Sequence, residues 1–314
     1  MSNPLTQTSI TLQQAVLPII IVFGIIGNSL NVVVLTRRSL FYHACSRYFL
    51  ALSGNNLFYS GVVCIISLLK NGYQIDVSRY SIVFCKTYTF ISTLCCFLSP
   101  YIIVLASLDR CCASSSHAKI RNFTSIRMAH CMICMVIIVF ALLFINVVFM
   151  ADINASTGYL CMSQAVTTYY QVYIITQVML FAVVPPCLMV SFGLITIRHT
   201  KRSRVSPMLV SRFHRTERQL ARMLFFQVGT HIVLTIPTSV TFLIATLPNS
   251  VRTTLLFSFV SSINQLLFGI SFVTPFFTYI LSSRVYRRQL IHILRSTHHR
   301  RSEPPREGTA VSMT

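Results

Sequence analysis

Long apolar runs recur seven times along the chain, near residues 14–36, 47–69, 82–108, 128–150, 170–197, 220–247 and 254–281. A helix needs about 20 apolar residues to cross the hydrocarbon core, and each run is long enough. The clearest, CMICMVIIVFALLFINVVFM at 131–150, carries no charge. Interior prolines and the lack of an alternating ten-residue pattern argue against a membrane β-barrel. The pattern predicts an all-α membrane protein, a seven-transmembrane helix bundle. Beyond the last run, SSRVYRRQLIHILRS sets Tyr286, Leu290, Ile293 and Leu294 on one helical face and arginines on the other. That is the pattern of a short amphipathic helix lying on the membrane, an eighth helix.

Charge gives the bundle a direction. Only 10% of the residues are charged, against about 25% in soluble domains. Twenty-two of the 26 Lys and Arg residues fall after runs 1, 3 and 5 or in the tail; Lys70, Arg79, Lys86 and Arg252 lie on the other side. Basic loops mark the cytoplasm, so the N-terminus is expected outside and the C-terminus inside, in a multi-pass protein of the plasma membrane. The expected divisions are an extracellular segment 1–13, a seven-span domain 14–281, an amphipathic juxtamembrane helix 282–296 and a disordered cytoplasmic tail 297–314. The net charge of +20 is then a topology signal and a match to anionic inner-leaflet lipid. It is not a nucleic-acid footprint, because the basic residues flank spans. The opening MSNPLTQTSITLQQ lacks a positive start, so the first span reads as a retained signal-anchor. No paired broken helices of the transporter kind recur in two halves.

Most of the eleven cysteines fall in spans or on the cytosolic side, where a small buried hydrophobe is the ordinary role. Cys85, opening the third run, and Cys161, in the outer loop after the fourth, face an oxidising compartment instead. A bridge between them would tie that loop to the third helix; two unrelated thiols are the alternative. The same loop holds Asn154-Ala-Ser, a glycosylation acceptor on the outer side, whereas Asn122-Phe-Thr is cytosolic.

These features and an ordered set of motifs resemble the rhodopsin-like (class A) G-protein-coupled receptors over nearly the whole chain, in a divergent, neuropeptide-receptor-like form. Gly27-Asn28 matches the Gly-Asn of helix 1, and Asp109-Arg110-Cys111 the Asp-Arg-Tyr of helix 3, with Cys85 at the family spacing before Arg110. Pro185 or Pro186 fits the helix-5 proline, Pro237 that of helix 6, and Thr274-Pro275 the Asn-Pro of helix 7. The departures are specific. There is no Trp, and Thr235 stands at the helix-6 toggle position. Asn56 replaces the buried helix-2 acid, a weak anchor for the sodium ion the resemblance implies. Thr278 takes the place of the helix-7 Tyr, with Tyr279 beside it.

The resemblance implies a ligand-gated partner of a heterotrimeric G protein. Glu217, the acid of the third inner loop, lies 20 residues before Pro237. In the family an acid at that spacing contacts the helix-3 arginine in the off state. Arg110 paired with both Asp109 and Glu217 would clamp helices 3 and 6. Exposed ion pairs are worth at most about 1 kcal/mol, so such a lock biases a two-state equilibrium that a ligand shifts. The plainer reading makes Arg110 a positive-inside anchor neutralised by Asp109.

Outside, Ser92 stands seven residues after Cys85, where an amine receptor would need an acid, and run seven has no retinal-binding Lys. Tyr88, Ser92, Tyr169, Gln171, Thr238, Asn264 and Gln265 offer a neutral polar lining with aromatic neighbours. That suits the amides of a short peptide, or alternatively a small neutral odorant-like molecule. Hydrogen bonds between helices are the competing role for each. His231, two turns inward from Pro237, reads as a buried hydrogen-bonded residue, with a pH-sensitive latch as the sharper alternative. Apart from Asp109 the spans hold no acid, so an enzyme, a metal centre or a cofactor is not expected. A non-signalling receptor is the chief rival, with a channel or carrier ranked below it.

Overall fold

The computed structural model describes residues 4–115, 117–121, 124–154, 160–163, 168–202, 212–244 and 254–302. The spans are α1 (Pro4–Leu35), α2 (Ala44–Gly72), α3 (Ile82–Ala113) and α4 (Ile126–Met150). After α4 come the strands β1 (Ala151–Asn154) and β2 (Leu160–Ser163). Helix α5 runs from Thr168 to Arg202, and α6 is Arg212–Ile244. The last span is a bent pair, α7 (Leu255–Ser271) and α8 (Thr274–Ser282), followed by α9 (Arg284–Ser302). Among the described residues six helices are long and apolar enough to cross a membrane, and the bent pair, taken as one span, makes a seventh.

Helix starts are encoded locally. Ser81, Ser125 and Thr254 each accept a hydrogen bond from the backbone N–H three residues on, at 3.3, 3.3 and 3.2 Å. Such caps satisfy donors that the first turn leaves open. Sixty-one per cent of the most apolar stretch of α3 is buried, against 17% for α4. Helix α3 is therefore the central post, and α4 turns Ile138, Leu142, Ile145 and Phe149 outward toward lipid.

Two boundaries and one element differ from the sequence reading. Helix α1 begins at Pro4, ten residues before the expected run, and α9 continues to Ser302, past the expected end at 296. The segment after α4 is not simply irregular: β1 and β2 form an antiparallel hairpin with Ile153 opposite Cys161, packed against α3. Four-residue strands in a polar loop leave no periodicity long enough to read.

Prolines shape the rest. Pro275 near the start of α8 lacks an N–H, and its ring excludes the helical position of the carbonyl four residues back, so the span bends by 45°. The break frees carbonyls, and Asn28 Nδ2 donates to Phe272 O at 3.0 Å as well as to Gly24 O at 2.8 Å. Close approach makes this possible: a Cβ on Gly27 would lie 3.0 Å from Phe276 Cβ. In α5 a π turn at Met179–Val183 precedes Pro185 and Pro186, and Tyr101 Oη of α3 donates to the Leu180 carbonyl there at 2.9 Å. Helix α2 carries π turns at Tyr59–Val63 and Leu68–Gly72.

Helix α9 docks on the bundle through Tyr286, fully buried, and Leu290, while Leu294 stays exposed instead of joining that face. Tyr286 Oη donates to Asn31 Oδ1 of α1 at 2.6 Å. Tyr286→Phe should cost about 1–3 kcal/mol, the penalty for leaving a buried amide oxygen unpaired. Thermal unfolding in detergent, with Tyr286→Phe and Asn31→Ala combined, would show non-additive losses.

Candidate functional site

Between the span halves nearer the β1–β2 hairpin lies a cavity of about 380 Å³. Tyr88 and Ser92 of α3, Thr238 of α6, and Asn264 and Gln265 of α7 all line it. Five of the seven sequence candidates thus converge. Tyr169 and Gln171 lie in α5, with side chains outside the described residues. Some of the five are also occupied structurally. Asn264 Nδ2 donates to Pro237 O at 3.2 Å and contacts Thr241 Oγ1, while Thr238 Oγ1 donates to Asn264 O at 3.2 Å. Asn264 therefore joins α6 to α7 beside their shared cavity. Tyr88 Oη lies 3.4 Å from Ser67 Oγ of α2.

The sequence reading missed the contribution of α2: Tyr59, Val63 and Ser67 also line the cavity. It also missed the floor. Tyr59 stacks on Phe272 at 3.7 Å and 8°, Phe181 meets Phe268 edge-on at 5.5 Å, and Phe97 meets Phe181 at 5.6 Å. Aromatic pairs of this kind add about 0.5–1.5 kcal/mol beyond their buried area. With Thr235 turned back to the His231 carbonyl at 2.8 Å, these rings fill the centre of a bundle that has no Trp. The signal available was 23 Phe beside zero Trp.

Deeper, Asn56 is fully buried; its Oδ1 accepts from Ser99 Oγ at 3.4 Å, and its Nδ2 lacks a partner. An amide N–H and hydroxyls with no carboxylate do not fit a sodium ion. His231 is buried with Nδ1 lacking a partner, which departs from the hydrogen-bonded role expected for it. Tyr279 is fully buried, packed 5.0 Å from Phe49 and 5.9 Å from Tyr286.

At the opposite end of the bundle Arg110 Nη2 lies 2.6 Å from Asp109 Oδ2, and Nε donates to the same oxygen at 3.1 Å. Asp109 is 7% and Arg110 6% exposed, so the pair is buried, not the exposed pair of the sequence reading. Its energetics follow a different rule: attraction is strong, and so is the desolvation it must offset. Around Arg110 only about 20 Å³ is left between α3, Met189 and Gly193 of α5, and Leu224 and Phe225 of α6. Among the described residues, these side chains pack closely around the arginine. Glu217 lies on α6 with its side chain outside the described residues, so its expected contact with Arg110 does too.

Neutral clamps hold α6 against the last span. Gln219 Oε1 accepts from Ser283 Oγ at 3.1 Å and from Val285 N at 2.8 Å. Two turns along, Gln227 Oε1 accepts from Thr278 Oγ1 at 3.0 Å. Thr278, standing where the family carries Tyr, thus bonds to α6.

At the start of α3, Cys85 is fully buried and disulfide-bonded. The loop between α2 and α3 is tied by Asp76, which pairs with Lys70 at 3.2 Å and accepts from Ser78 N at 3.1 Å. Burial pushes the Asp76 carboxyl up, but the bonds from Ser78 and Lys70 outweigh it and hold it below its ordinary 3.8. A depressed carboxyl contributes stability that is complete above pH 3.8 and lost as pH falls through the lower folded value. Hydrogen exchange at residues 73–81 should accelerate only in that acid range, and Asp76→Asn should remove the acid dependence.

The described residues thus form a membrane-type helix bundle with a cavity toward one end and the buried Asp109–Arg110 pair toward the other. The family model for the 7 transmembrane receptor (rhodopsin family) matches residues 27–277, and the chain belongs to that family. Among curated proteins, none matches the chain.

Proposed function

We propose that this receptor takes the amide-bearing end of a short peptide in its outer cavity and activates a heterotrimeric G protein by opening α6 away from α3. The observation that carries the reading is the convergence of Tyr88, Ser92, Thr238, Asn264 and Gln265, all uncharged, on one cavity whose remaining wall is largely aromatic and apolar. Amides both donate and accept, as Asn and Gln do. A volume of about 380 Å³ is at the small end for ligand sites and favours a second reading, a compact neutral molecule.

In this reading the N-terminus and the β1–β2 hairpin are extracellular, and α9 lies on the inner leaflet of the plasma membrane. Cys85 pairs with Cys161, the one cysteine left when the nine free ones are set aside. Asn154 carries a glycan. Nucleotide exchange on G proteins in membranes tests the whole, comparing the native chain with Glu217→Ala and Arg110→Ala at matched surface expression. Higher basal exchange in the first and none in the second supports a switch. If all three match untransfected membranes across G-protein subtypes, a non-signalling receptor becomes the better reading.

A further inference from the structure

Arg47, in the first turn of α2, is a cation without an anion. It is 9% exposed, and among the described residues it forms no hydrogen bond and no ion pair. Asp109 is taken by Arg110, and Asp76 by Lys70 at the far end of α2. An arginine does not shed its charge, so a buried one without a counter-ion carries its full desolvation cost.

Local structure holds the guanidinium in place. The short helix Arg38–Phe41 before α2 is pinned by the buried Leu40, and it brings the Phe41 ring over Arg47, 3.4 Å from Cζ to the ring centroid. Nε is sealed off there; Nη1 and Nη2, also without partners, keep access to the surface. The face of the fork is covered and its outer edge is open. Arg47 also projects from the side of α2 opposite the core. On a wheel of 100° per residue Gly54 and Phe58 fall within about 20° of it, while the buried Phe49, Leu52 and Asn56 fall about 140–200° away. Gly54 is exposed, with nothing within 4 Å of where a Cβ would stand, and Phe58 is 42% exposed. The stripe of Arg47, Gly54 and Phe58 thus faces lipid. A snorkelling arginine would be extended, with its head in water, and this one is not.

We infer that Arg47 holds the phosphate of an anionic phospholipid. Nη1 and Nη2 donate in parallel to two phosphate oxygens, the bidentate geometry that guanidinium and phosphate share. One acyl chain of the lipid lies along α2, in the notch at Gly54 and against Phe58. A headgroup with a cation of its own satisfies the arginine less well, because that cation competes for the same phosphate. The inference needs only that this end of the bundle meets a leaflet, so it stands apart from the ligand and signalling reading above.

The test is thermal unfolding of the full chain in nanodiscs of phosphatidylcholine, alone or mixed with phosphatidylglycerol, beside native mass spectrometry of the lipids it retains. The native chain should gain stability from phosphatidylglycerol and retain it through detergent exchange. Arg47→Leu should be the more stable of the two in phosphatidylcholine alone, where the uncompensated charge is gone, and the less stable once phosphatidylglycerol is present. Its affinity for the first retained phosphatidylglycerol should fall about tenfold, with Arg47→Lys, which keeps the charge and loses the fork, in between. Arg288→Leu, at an exposed basic position of α9, should respond as the native chain does, which separates one site from general attraction to a basic surface. Equal retention by the native chain and Arg47→Leu, or equal losses in Arg47→Leu and Arg288→Leu, would overturn the inference. Lower stability of Arg47→Leu in both lipids would make the stack on Phe41 a packing contact, and displacement of the lipid by inorganic phosphate would make this a free-anion site; either result overturns it too.

Discussion

Gln219→Leu is expected to raise ligand-independent nucleotide exchange about thirtyfold at matched surface expression. Gln219 Oε1 holds both Ser283 Oγ and Val285 N, joining α6 to the turn between α8 and α9. In the proposed opening, α6 must leave that turn, so both bonds exist only in the closed state. Each is worth about 1 kcal/mol net, and 1.4 kcal/mol is a factor of ten in an equilibrium. Leucine propagates a helix as well as glutamine does, so α6 should form unchanged. Gln227→Leu, which removes the single bond to Thr278, should have a smaller effect in the same direction. Basal exchange equal to that of the native chain in both variants would mean that α6 keeps these contacts throughout its motion.

Arg110→Ala should abolish G-protein activation and also destabilise the closed bundle by about 3–5 kcal/mol, as removal of one partner from a buried ion pair does. The carboxylate of Asp109, 7% exposed, would remain in the protein without its cation. The double variant Asp109→Ala/Arg110→Ala distinguishes the two losses. It should recover most of the thermal stability in detergent while signalling stays absent. Recovery of signalling in the double variant would make Arg110 a packing anchor and not part of the G-protein contact.

The spans were legible because each is set by one local quantity, the length of an apolar run, and the membrane enforces it. The cavity residues of α3, α6 and α7 were legible through their distances from Cys85, Pro237 and Pro275, which are covalent landmarks. Ser67 and Tyr59 were not, because two π turns change the register of α2 and leave no mark in its hydrophobic pattern. Gln219 and Gln227 read as ordinary polar positions on a helix; their importance lies in partners about 50 to 66 residues away. The burial of Asp109 and Arg110 was misjudged for the same reason: sequence places them at a helix end, and only the packing of α5 and α6 shows that this end is covered.

The π turn at Tyr59–Val63 has a consequence for how the receptor can diverge. Each residue of an α-helix advances the chain by about 100°. Deleting one residue within that turn would leave α2 still long enough to span, with its inner half in place. The outer half would swing by about a third of a turn, carrying Ser67 off the cavity wall and bringing other side chains to face it. One deletion in a lipid-embedded helix is therefore a route to a new binding specificity that leaves every lining codon untouched.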